Sequence, residues 1–118
     1  MMRSRGLCAV LVLVAGLSGR ADAAQPFDGN YAGSSTGGGK CADGPVTMGV
    51  VENAVTMITP SGLKVTGVVA PDGSLRMQET VSLAKGIILT VEGRFDAGRF
   101  TGTGTRIGCG FQYTLKKQ

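Results

Sequence analysis

The stretch T-G-G-G-K-C-A-D-G at 36–44 sets Cys41 in a glycine-rich loop beside Lys40, a cation able to favour its thiolate. The chain holds two more cysteines, Cys8 and Cys109, and no histidine. Without histidine there is no Ser-His-Asp or Cys-His nucleophilic site, and no histidine-based metal site. Glu79 and Glu92 would form a carboxylate pair if they met across neighbouring strands; as outward, solvated charges they would do nothing chemical. Gly102-x-Gly104 lacks the strand-to-helix context of a phosphate-binding loop, and Gly37-Gly38-Gly39-Lys40 lacks the P-loop spacing. Both read as bends or loops. The absence of tryptophan, with four phenylalanines and two tyrosines, argues against an aromatic ligand cage. No catalytic, cofactor-binding or metal-ligating residue is therefore expected, and the protein reads as non-enzymatic. The cysteines carry what chemistry remains.

Where those cysteines act depends first on export. Residues 1–5 carry Arg3 and Arg5, residues 6–17 form an apolar run, and Ala21-Asp22-Ala23 supplies a small-residue cleavage element. This is the layout of a secretory signal peptide over 1–23, with cleavage expected after Ala23 or after Ala24. The run is a dozen residues, short of the ~20 that a membrane-spanning helix needs. Cys8 opens that run rather than closing it, which excludes a lipidated first residue. The expected mature chain, 24–118, has 95 residues, a single domain, with nine basic and seven acidic side chains. Its basic residues are scattered apart from Lys116-Lys117, so no nucleic-acid surface is expected. No later segment is long enough to span a membrane.

With Cys8 removed, Cys41 and Cys109 admit one pairing, in a periplasmic or extracellular compartment where disulfides persist. The rival is a redox-active thiol pair, but such pairs usually sit in a C-x-x-C spacing. A structural bridge is the expectation. In the chain-entropy model it is worth about 4 kcal/mol, which matters in a domain this small.

The elements that must position the bridge are short strands. From Tyr31 onward apolar residues alternate with polar ones, and turn residues recur every eight to twelve positions. Strands are expected over 45–51, 54–59, 63–69, 75–80, 87–95, 99–105 and 109–116, besides the one beginning near Tyr31. Stretch 81–86 reads as a longer loop or a continuation of the strand before it. Glu52-Asn53 reads as a compact turn, Pro60-Ser61-Gly62 and Ala70-Pro71-Asp72-Gly73 as proline–glycine turns, and Asp96-Ala97-Gly98 as a three-residue hairpin loop. The parity of Cys109, Phe111, Tyr113 and Leu115 points the Cys109 sulfur inward. The glycines sharing a face with Phe100 mark a place where a strand bends or a side chain crosses closely.

No ten-residue segment after the signal has helical periodicity. Seven or eight strands with short connections make an antiparallel, all-β meander. Its edges must be hidden by closing into a small up-and-down barrel or rolled sheet, or by splitting into a β-sandwich. A Cys41–Cys109 bridge would hold the first and last strands together, which favours the barrel. Tyr31 and Tyr113 should then be buried and Lys116 and Lys117 exposed. Met48, Met57 and Met77 with the Val/Ile set should fill the interior, which argues against a hydrophobic-ligand carrier.

Phe27-Asp28-Gly29-Asn30-Tyr31-Ala32-Gly33, Cys41, Val69-Ala70-Pro71-Asp72-Gly73-Ser74-Leu75, the glycine–phenylalanine hairpin at 93–102 and the cysteine-led strand at 109–115 together carry a resemblance. The chain resembles small exported bacterial β-proteins of unknown function that open with F-D-G-x-Y-x-G. These motifs are turn glycines, core aromatics and cysteines, so the resemblance implies architecture and no activity. Two functions are compatible with all of this. One is a periplasmic or secreted binding or structural module stabilised by one disulfide, with a protein partner in the cell envelope. The other is a protein inhibitor of a lysozyme or protease.

Overall fold

The computed structural model describes residues 26–38, 41 and 43–118. The expected signal peptide with its cleavage site, Cys8 and Lys40 lie outside these residues. The described residues form eight strands: β1 (Gly29–Gly37), β2 (Gly44–Val51), β3 (Ala54–Ile58), β4 (Lys64–Val68), β5 (Ser74–Ser82), β6 (Ile87–Asp96), β7 (Arg99–Arg106) and β8 (Cys109–Lys117). Among them is no helix long and apolar enough to cross a membrane. One sheet contains all eight, in the order β4-β3-β2-β1-β8-β7-β6-β5, with every neighbouring pair antiparallel. The sheet rolls into a nearly closed barrel and not a two-layer sandwich.

The first and last strands pair as expected. Tyr31 stands opposite Lys117 and Gly37 opposite Phe111. Tyr31 and Tyr113 are each 3 % exposed, while Lys116 and Lys117 are exposed. The gap in the barrel lies instead in mid-chain, between β4 and β5, which the turn at 69–73 joins. There β4 is only five residues long. A side chain joins the two edges where a ladder does not: a Cβ placed on Gly67 would lie 2.4 Å from the Met77 Cγ. Glycine at 67 leaves the room that Met77 occupies.

Alternation decides which side of each strand faces in. Val46, Met48, Val50, Val55, Met57, Val65, Leu75, Met77, Leu89 and Val91 are buried in one core. The opposite parity carries threonines and charges, including the Arg76–Glu92 ion pair at 3.3 Å. Glu92 therefore faces outward, whereas Glu79 sits opposite the buried Leu89 on the inward parity. Glu79 and Glu92 do not meet.

Some turns depart from the lengths that local sequence suggests. The β6–β7 connection is a two-residue turn, because Asp96 pairs directly with Arg99; Ala97 and Gly98 both take positive φ, 51° and 77°. Glu52 and Asn53 do the same at 50° and 68°, the I′ geometry that matches strand twist. Stretch 81–86 divides: β5 continues to Ser82 past an irregularity between Thr80 and Ser82, and the chain turns after it. At 69–73, Asp72 accepts hydrogen bonds from the Ser74 hydroxyl at 2.7 Å and its N–H at 3.0 Å. These bonds first, and Arg94 after them, hold its carboxyl below the usual carboxylate range.

The F-D-G-x-Y motif closes one end of the barrel. Phe27 packs against Phe95 in a tilted arrangement, 5.8 Å between centroids. The Asp28 carboxylate accepts the N–H groups of Glu52 at 2.8 Å and Asn53 at 3.2 Å, pinning that turn to the start of β1. The Tyr31 hydroxyl donates to the Phe27 carbonyl at 2.7 Å.

Candidate functional site

A meander places alternate turns together. The loops β1–β2, β3–β4, β5–β6 and β7–β8 share the end away from Phe27, and this end is open. A cavity of about 450 Å³ lies there, within the ~300–1,000 Å³ range of small-molecule sites. Its apolar wall comes from Leu63, Val81, Leu89, Phe111 and the Tyr113 ring, and its polar groups from Ser35, Thr59, Ser61 and Arg106. The methionines and valines fill the interior below, as expected; at the mouth the interior is not filled.

Each strand delivers its residue by parity. On β1, Ser35 follows Tyr31 and Gly33 inward. It is 1 % exposed, and its Oγ has no hydrogen-bond partner among the described residues. On β8, Phe111 and Tyr113 stack with centroids 6.3 Å apart and planes at 22°. On β7, Phe100, Gly102, Gly104 and Arg106 share the inward face. Gly104 leaves space for the Tyr113 ring, whose hydroxyl would lie 2.5 Å from a Cβ there. Gly102 and Gly93 make the same allowance for Phe100. Of the two readings open for the glycines on the Phe100 face, a bend or a close crossing, Gly102 and Gly104 show the crossing, and both lie within β7.

Arg106 ends β7 at the rim. Its guanidinium carbon lies 5.9 Å from the Phe111 ring centroid, near the limit of a cation–π contact. Among the described residues it has no carboxylate within ion-pair distance. Neither Ser35 nor Arg106 stood out from sequence. Both were legible as the next inward position after Tyr31-Ala32-Gly33 and after Phe100–Gly104.

The two cysteines do come together. Cys41 and Cys109 form a disulfide with Cα atoms 5.6 Å apart across 68 positions of sequence. Cys109 pairs with Arg106 across the β7–β8 turn, so the bridge ties the β1–β2 loop to the turn following Arg106. A disulfide is compatible with an oxidising compartment.

Burial raises the Tyr113 hydroxyl above its ordinary value. It also raises that of Tyr31, with the Asp28 charge adding to the effect. A folded-state value above the unfolded one means that stability is intact below pH ~10 and falls as pH rises through the folded values. The chain has no histidine, so stability is expected to be level from about pH 6 to 9 and to decline above pH ~10. Denaturant titrations at stepped pH measure this, and Tyr113→Phe should flatten the decline. A decline beginning near neutrality would contradict it.

The disulfide and the aromatic strand behind Cys109 agree with the architecture that the resemblance implies. Compared with protein-family models, curated proteins and solved structures, the chain matches none, so the function of this mouth is argued from its own residues.

Proposed function

We propose that the protein is a non-enzymatic binding module of the periplasm or the extracellular space, and that it holds a small ligand in the mouth of its barrel. The buried Ser35 hydroxyl, without a hydrogen-bond partner among the described residues, carries this reading. Leaving such a group without a partner costs roughly 1–3 kcal/mol, and a ligand atom in the adjoining cavity would supply the missing bond. The apolar walls and the few convergent polar groups have the composition of a small-molecule site.

Two measurements test it. Nile red, a neutral apolar dye, should bind saturably with a rise in emission. Leu63→Trp, which narrows the cavity from its rim, should abolish that rise while the circular dichroism stays that of the parent. Absence of saturable binding to the parent protein would overturn the reading. In addition, Ser35→Ala should leave the empty protein as stable as before or more stable by about 1 kcal/mol, because it removes an unsatisfied buried group. A marked loss of stability on chemical denaturation would show that the hydroxyl is structural.

A second reading, an inhibitor of a lysozyme or protease, is favoured by Leu83 and Ile107. They are 88 % and 80 % exposed, on turns at the mouth end. Inhibition that survives Leu63→Trp and is lost in the Leu83→Ser/Ile107→Ser double variant would support it over the first.

A further inference from the structure

Resting on the reading of the mouth as a ligand site, we propose that its ligand is an amphiphilic monocarboxylate, with a ring-bearing apolar body inside and its carboxylate on Arg106. Among the described residues Arg106 is the one charged side chain that lines the cavity, and no acid is among the lining residues. The guanidinium is held beside the Phe111 ring without a carboxylate partner among the described residues. A planar fork of N–H donors placed this way matches the two oxygens of a carboxylate. A cationic ligand seated at this rim would meet a like charge. One positive charge among the described lining residues also suits a monoanion better than a phosphate dianion.

The body of the ligand follows from the walls. Phe111 and Tyr113, stacked on each other, supply aromatic wall that a ring-bearing body can pack beside. Leu63, Val81 and Leu89 complete an apolar lining. The disulfide helps to hold the fork in place, since Cys109 is the residue paired with Arg106.

The test uses bound Nile red and three competitors that share one body: 4-phenylbutanoate, the neutral 4-phenylbutanamide and the 4-phenylbutylammonium cation. The carboxylate should displace the dye at a concentration roughly tenfold below that of the amide, the gain expected of a charge-assisted hydrogen bond, with the cation weakest. Arg106→Gln should bring the carboxylate to the level of the amide, and Arg106→Lys should restore part of the preference. Saturable dye binding with no preference among the three, or a preference unaffected by Arg106→Gln, would overturn the inference and leave the mouth as a binding site. Failure of the dye itself to bind would overturn the reading beneath it. Should Arg106→Gln fail to fold, the three-way comparison on the parent protein still decides.

Discussion

Phe100→Ala is expected to destabilise the protein by about 3–5 kcal/mol, the usual range for deleting a fully buried aromatic ring. Phe100 is 0 % exposed and lies 4.9 Å from Phe95 between ring centroids. Phe95 in turn contacts Tyr31 at 5.1 Å, so the ring links β7 to β6 and to β1 across the interior. The site cannot collapse onto the vacancy easily. Gly93 and Gly102 are the residues beneath the ring, and neither has a side chain to move in. Since small domains have only ~5–15 kcal/mol of stability in total, this substitution should consume a large share of it. Urea denaturation would read the effect as a lower midpoint at unchanged slope. A loss below about 1 kcal/mol would show that the aromatic cluster is not the centre of the core.

Replacing Cys41 and Cys109 together by serine is expected to cost roughly 2–4 kcal/mol, mainly by freeing the unfolded chain. The bridge spans 68 positions of sequence, so it restricts most of the strand-forming chain when the protein is unfolded. In the folded state β1 and β8 are already paired along their lengths, and β7 and β8 along theirs. The barrel should therefore still form without the bridge, at lower stability, and dye binding at the mouth should persist wherever the variant is folded. Mass spectrometry without reductant should find neither thiol free. If the bond were redox-active, mild thiol buffer would open it and stability would hardly change. That result would replace a structural bridge with a functional one.

Much of this architecture was written in local pattern. Period-two alternation picked out the strands and their inward faces, because a half-buried strand must alternate. Short connections required antiparallel neighbours. Two cysteines far apart in sequence, once export is granted, allowed a single bridge, and that bridge argued for the pairing of first and last strands that β1 and β8 show. The glycines on the Phe100 face announced a bend or a close crossing, though not which of the two, nor which rings would cross.

Tertiary structure alone decided the rest. The hairpin at Ala97-Gly98 lost a residue because the opposite pairing of Asp96 and Arg99 sets the loop length, and pairing register is a property of two strands. The gap fell between β4 and β5 because edges meet only after the whole sheet has rolled. Asp28 and the Glu52-Asn53 turn lie far apart in sequence, so nothing local foretold that the carboxylate would pin the turn. The mouth is the clearest case. Ser35, Arg106, Phe111 and Tyr113 come from three strands, and each looks ordinary within its own. Only closure of the barrel brings them around one cavity, and only then do a hydroxyl with no hydrogen-bond partner and a cation with no carboxylate partner among the described residues become neighbours of the same empty space.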